Sequence, residues 1–216
     1  MIERLMASEL ERIGLIAIVR TDAAVDMTRV AQALAEGGVR AMEITLNTPG
    51  ALAAIAAVRR EMEGTLRVGA GTILGPEDAQ DAIEAGAEFI VTPTLQTDTV
   101  ALCRERGVPI ACGSMTPTEC LAAHRAGADF VKLFPADGLG PGYVRALLAP
   151  LPFLKIIPTG GVSLDTLPAF IKAGCVGVAL GGNLVSKQRL QAQDWEGLTE
   201  TARQYAQLLA ESRTRA

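Results

Sequence analysis

Short aliphatic runs alternate with longer amphipathic stretches along most of this chain. The runs are rich in Ile, Val, Leu and Ala and end at Gly, Pro or Thr, which suits strands, while the intervening stretches carry the apolar spacing of helices. Eight strands are predicted: Leu15–Arg20, Ala41–Leu46, Leu66–Gly71, Phe89–Thr92, Pro109–Gly113, Phe130–Leu133, Lys155–Thr159 and Val176–Leu180. Helices are predicted over Ala24–Glu36, Ala51–Glu63, Pro76–Ala85, Thr97–Glu105, Pro117–Ala126, Gly142–Leu148 and Leu164–Ala173. A further helix, Met1–Ile13, precedes the first strand, its charges at Glu3, Arg4, Glu9, Glu11 and Arg12 giving it a polar face.

The alternation is also an internal repeat. Segments 35–45, 84–93, 104–113, 125–135 and 172–182 share one order: helix end, small residue, Gly, aliphatic strand. Gly38, Gly64, Gly86, Gly107 and Gly127 recur at intervals of 20 to 26 residues, and Gly174 follows two units later. Each is expected to end a helix with positive φ. Strands that alternate with helices make a parallel sheet with right-handed crossovers, and eight such units close into a (β/α)₈ TIM barrel. The expectation is a single α/β barrel domain over residues 1–216, with an extra N-terminal helix. An open doubly wound sheet is the alternative, but no Gly-x-Gly-x-x-Gly follows the first strand.

Composition narrows the function classes. Hydrophobic residues make up 49% and aromatics 4%, with a net charge of -4, so the core is aliphatic and the surface mildly acidic. Basic residues are scattered among acids, which argues against a nucleic-acid partner. No apolar run approaches the roughly 20 residues that span a bilayer, and the charged opening helix does not read as a signal peptide, so a cytoplasmic protein is expected. Cys103, Cys112, Cys120 and Cys175 lack the paired spacing of a zinc site and are expected to be reduced core residues. His124, the only histidine, falls within a helix and is expected at the surface, so no metal centre or His-based triad is indicated.

Lys132 is the most telling residue. It lies in the apolar run Phe130–Leu133, just before Pro135, and removing an ammonium from water favours the neutral, nucleophilic amine. In a TIM barrel the active site forms at the C-terminal ends of the strands. There the sequence places Arg20, Glu43, Thr45, Asn47, Thr72, Thr92, Pro93, Lys132, Thr159 and two glycine pairs. Period-two alternation turns Glu43 and Thr45 inward and Met42, Ile44 and Leu46 toward the helices. It also sets Lys132 against Val131 and Leu133, so amine and carboxylate are brought to one mouth. The bland readings are a Lys132 that snorkels along the rim and a Glu43 that caps a helix or pairs with Arg20. Gly160–Gly161 and Gly181–Gly182 follow the last two strands, where this fold holds phosphate. The stretch Asn183–Ser186 is expected to start a helix whose N-terminus adds a favourable dipole for an anion. Turn punctuation is the alternative for these glycines.

These residues carry a family resemblance. Ile16–Arg20, Gly37–Leu46, Val68–Thr72, Phe89–Pro93, Val131–Pro135 and Pro158–Val162 resemble, in register over nearly the whole length, the bacterial 2-keto-3-deoxy-6-phosphogluconate (KDPG) and 4-hydroxy-2-oxoglutarate aldolases, a family that includes the phosphogalactonate (KDPGal) branch. The resemblance implies a class I aldolase with no cofactor and no metal, in which Lys132 is the Schiff-base lysine and Glu43 the general acid/base. By the same resemblance Arg20, Thr72 and Pro93 line the pyruvyl portion of the site. Thr45, Asn47, Phe134 and Thr159 complete the substrate contacts, and Gly160, Gly161, Gly181 and Gly182 hold the phosphate. It further implies a homotrimer acting on a 2-keto-3-deoxy sugar phosphate and releasing pyruvate. Asn47 stands where many phosphogluconate enzymes have arginine, and Leu46–Pro49 is more similar to the phosphogalactonate branch, whereas Thr159 resembles the phosphogluconate branch. A phosphate-binding isomerase or epimerase, and a catalytically silent sugar-phosphate barrel, are the competing readings.

Overall fold

The computed structural model describes residues 2–214, with side chains described from residue 6 onward. Helix α1 (Ile2–Ile13) leads into β1 (Leu15–Val19), and the chain then alternates through α2 (Met27–Glu36), β2 (Ala41–Thr45), α3 (Ala51–Glu61), β3 (Arg67–Gly71), α4 (Pro76–Glu84) and β4 (Ile90–Val91). It continues through α5 (Thr97–Arg106), β5 (Ile110–Ser114), α6 (Pro117–Ala126), β6 (Phe130–Leu133), α7 (Gly140–Leu148), β7 (Ile156–Pro158), α8 (Leu167–Lys172) and β8 (Val178–Leu180), and ends in α9 (Lys187–Ala192) and α10 (Trp195–Thr214). Neighbouring strands pair in parallel in the order β7-β6-β5-β4-β3-β2-β1-β8, and a parallel bridge between Thr159 and Ala179 joins the two ends. This is the expected TIM barrel, with every predicted strand present.

Alternation along the strands creates two cores. Ile16, Ile18, Ala41, Phe89, Val91, Ala111, Phe130, Ile157 and Ala179 pack inside the barrel, and Ala7 and Leu10 of α1 join them, so α1 plugs the N-terminal opening. Two ion pairs fasten the plug: Glu9 with Arg67 at the start of β3 (3.0 Å) and Glu11 with Lys155 ahead of β7 (2.6 Å). The second core lies between strands and helices, where Val19, Ile44, Val68, Leu133 and Leu180 meet residues such as Leu34, Ile55 and Phe170. Helix α10 covers α2 and α8 and completes the outer ring. All six repeat glycines, from Gly38 to Gly174, have positive φ, as expected of helix ends.

Local capping moves several boundaries. Helix α2 begins after Asp26, whose carboxylate accepts from the Thr28 and Arg29 amides, and not at Ala24. Leu164 lies outside α8, because Ser163 and Thr166 bond each other's amides through their hydroxyls and hold that segment as a turn. Asn183–Ser186 does not begin a helix. Gly181 O accepts from both Leu184 N and Val185 N in a single turn, and Ser186 then caps α9 through the Arg189 amide. The Met1 end of the predicted leading helix lies outside the described residues.

Candidate active site

Strands β2 and β6 deliver the two central groups. Glu43 is 1% exposed, and among the described residues neither of its carboxylate oxygens has a hydrogen-bond partner. It therefore caps no helix and makes no structural bridge to Arg20. Burial drives its carboxyl above the ordinary value, and the nearby charges of Lys132 and Arg20 oppose that push. Lys132 is 5% exposed, with Nζ 5.2 Å from the centre of the Phe134 ring, so it does not snorkel into solvent. Among the described residues Lys132 and Glu43 form no direct ion pair, which leaves both groups available to a third molecule between them. A buried carboxylate with no donor is costly, and such groups persist where function requires them.

Glycines on the flanking strands make room for the acid and for the loop beside the amine. The β3 partners of Glu43 and Thr45 are Gly69 and Gly71; a Cβ on Gly69 would overlap the Phe89 ring, and one on Gly71 would overlap the Glu43 carboxylate. Lys132 is registered with Gly113 of β5, where a Cβ would strike the Pro93–Thr94 peptide. That peptide is fixed by Thr92, whose hydroxyl accepts from Gly113 N (2.9 Å) and donates to Thr94 O (2.7 Å). Thr72, directly after β3, adopts φ 60, a left-handed conformation that is rare for threonine and recurs at functional sites.

Beside this pair opens a cavity of about 330 Å³ at the ends of β7, β8 and β1. Gly160, Gly161, Gly181 and Gly182 line it with Arg20, Phe134 and Thr159, and the Thr159 hydroxyl is buried without a partner. Asn183 Nδ2 donates to Val162 O (2.7 Å) and ties the two glycine loops together. A mouth of this kind, an amine and an unpaired acid beside an amide-lined hollow, suits Schiff-base chemistry on a phosphorylated keto acid. The family model of the KDPG and KHG aldolases matches residues 6–201. The chain belongs to that aldolase family. A 2-dehydro-3-deoxy-phosphogluconate aldolase from Treponema pallidum is 39% identical over 202 residues, covering 93% of this chain and 95% of its own. A 2-dehydro-3-deoxy-6-phosphogalactonate aldolase from Escherichia coli is 34% identical over 174 residues, 80% of this chain and 85% of its own. A solved native KDPGal structure superposes with a TM-score of 0.86 at 32% identity, covering 93% of this chain and 96% of that one.

In this aldolase the sequence-predicted site residues divide into three groups. Arg20, Phe134, Thr159 and the four glycines share the cavity wall, with Lys132 joined to it through the Phe134 ring and Glu43 through the field of Arg20. Thr72 and Pro93 stand at the ends of β3 and β4, next to the glycines that shape the mouth. Thr45 is fully buried, its hydroxyl bonded to Val19 O (3.3 Å) and Thr48 Oγ1 (3.2 Å), whereas Asn47 is exposed beyond β2. Among the lining residues not expected at the site, Asn183 and Lys187 are the polar ones; their one signal is position, just after the second glycine pair. His124 is exposed against Phe153 and all four cysteines are buried and unpaired, as expected. Among the described residues no group of His, Cys, Asp and Glu is placed to hold a metal ion, and no helix is long and apolar enough to cross a membrane.

Proposed function

We propose that this aldolase cleaves 2-keto-3-deoxy-6-phosphogluconate reversibly to pyruvate and glyceraldehyde 3-phosphate. The observation that carries the reading is Glu43, a buried carboxylate with two unpartnered oxygens, sharing the barrel mouth with the buried amine of Lys132. The Lys132 amine adds to the C2 carbonyl, and loss of water gives an iminium that draws electrons from C3. The C3–C4 bond breaks as the C4 hydroxyl gives its proton to Glu43, releasing the aldehyde and leaving an enamine. Glu43 then returns a proton to the enamine carbon, and hydrolysis frees pyruvate and the amine. Burial raises this carboxyl, so it holds a proton more readily than an exposed glutamate, which suits its return of a proton to carbon.

Arg20, Thr72 and Pro93 surround the pyruvyl end in this proposal, Phe134 and Thr159 contact the chain of the substrate, and the four glycine amides receive the phosphate. Thr45 acts at one remove by holding Thr48 and the end of β1 in place, and Asn47 meets the substrate from the rim. No cofactor takes part. The phosphogalactonate substrate is the second reading, favoured by the match to the KDPGal structure, and an enzyme accepting both C4 epimers is consistent with either. We place the reaction in the cytoplasm and assign the enzyme to a homotrimer. Leu74, Met115 and Phe153, 58%, 44% and 49% exposed, are apolar residues that association would shield. A lactate-dehydrogenase-coupled assay with both sugar-acid phosphates tests activity and C4 preference together. Pyruvate release from the phosphogluconate substrate at the higher rate supports the first reading; release from neither leaves a phosphate-binding barrel of another kind.

A further inference from the structure

We propose that Lys187 is a phosphate-binding residue of this cavity, held in reserve by Asp22 and transferred to the phosphoryl group when substrate enters. The proposal rests on the aldolase reading and names a residue of the same site. Lys187 is the first residue of α9 and stands on the cavity wall with Gly160, Gly161, Gly181 and Gly182. Its Nζ lies 2.9 Å from Asp22 Oδ2, so the pair joins the loop after β1 to the segment after β8 at the rim of the cavity.

Charge bookkeeping around the cavity gives the pair its purpose. Glycine amides donate hydrogen bonds but carry no net charge, whereas a phosphoryl group brings close to two negative charges and three strong acceptors. Asp137 adds a further negative charge, because its backbone and Cβ fill the space against Gly161 and its carboxylate lies near Gly160. Among the described residues Arg20 is the one other cation on the wall, and its field is also directed at Glu43. Lys187 is therefore the charge that balances the phosphate. Both partners of its ion pair are exposed, 57% for Lys187 and 72% for Asp22, so the pair is weakly held and exchanges cheaply. A dianion with amides on its far side outcompetes a single solvated carboxylate, and Asp22 meanwhile keeps the empty cavity from presenting an uncompensated cation.

Steady-state kinetics with Lys187→Met, Lys187→Arg and Asp22→Asn test this. Lys187→Met is expected to raise KM for the phosphorylated substrate about tenfold with kcat held, and Lys187→Arg to restore most of it. Cleavage of the same keto acid without phosphate, and pyruvate methyl-proton exchange, are expected to be unchanged, which separates this proposal from the aldolase reading. Asp22→Asn is expected to tighten phosphate-dependent binding roughly two- to fivefold. An unaltered KM in Lys187→Met, equal losses with and without the phosphate, or weaker binding in Asp22→Asn overturns the proposal. Should the protein lack aldolase activity, titration with inorganic phosphate, followed at the Gly181 and Gly182 amides by NMR, decides alone: about tenfold weaker binding in Lys187→Met supports the assignment and equal binding refutes it.

Discussion

The Glu43 carboxylate occupies the space that a Cβ on Gly71 would take. β2 and β3 are in direct register here, with Gly71 opposite Thr45, so the acid leans across the strand pair into a notch made by a missing side chain. A barrel of this size has little free interior. Gly71 on β3 supplies the volume for the long acid, and Gly113 on β5, level with Lys132, supplies it for the Pro93–Thr94 peptide.

Gly71→Ala displaces the Glu43 carboxylate without forcing the backbone, since the obstructing atoms are the end of a side chain. Turnover should fall about a hundredfold, as misplacement of a reacting group by roughly 1 Å typically does. The thermal midpoint should move little. A fully active Gly71→Ala enzyme would show that the position of the carboxylate is unimportant.

Glu43→Gln should keep the ability to trap pyruvate as an imine while slowing methyl-proton exchange, read by NMR, by roughly 10²- to 10⁴-fold. The same variant makes a pH prediction. Because the folded carboxyl is raised above its ordinary value of 4.5, its favourable contribution is complete below that value and vanishes as pH rises through the folded value. Glutamine has no such dependence. The stability of Glu43→Gln relative to the parent should thus grow with pH above about 4.5 and level off, at about 1–3 kcal/mol for relief of a buried, unpartnered charge. A pH-independent difference in unfolding free energy would contradict the cause assigned to the shift.

Arg67 links the plug to the barrel. Its guanidinium binds Glu9 of α1 and also Glu88, whose side chain is only 8% exposed, at 2.7 Å. Arg67→Ala should cost about 1 kcal/mol, because it removes two partly exposed ion pairs while the Glu88 carboxylate keeps Arg59 (3.6 Å) and the Val68 amide (3.1 Å). Denaturant unfolding measures this, and kcat at low temperature should be nearly unchanged, since the site lies at the other end of the strands.

The thiols should be silent. Burial pushes Cys103 and Cys175 up to about 12 and Cys120 to about 11, and raises Cys112 as well. Native enzyme should hardly react with an aromatic disulfide at pH 8, and all four should react on unfolding. Rapid labelling of the native protein would place a cysteine in solvent, contrary to the structure.

Much of this architecture was legible because strand and helix periods differ so sharply: Met42, Ile44 and Val131 face the helices and Glu43 and Lys132 face inward, as alternation alone requires. Boundaries were less legible where a side chain intervenes. Asp26 delays α2, and the Ser163–Thr166 hydroxyls hold an apolar-looking segment out of α8. Helices α9 and α10 have no strand after them, so the alternating pattern does not mark them. Thr45 shows a different limit: its inward facing is a matter of period, but the partners that occupy its hydroxyl, Val19 O and Thr48, lie on neighbouring chain segments. Lys187 looks like any surface lysine until β1 and β8 are seen side by side.

Reduction with borohydride in the presence of pyruvate, followed by peptide mass analysis, reads the Schiff base at Lys132 directly. One reduced pyruvyl group is expected on the peptide containing Lys132, in the parent and in Glu43→Gln, and none in Lys132→Ala, which should also be inactive. No adduct, an adduct on another lysine, or near-normal cleavage by Lys132→Ala would contradict it.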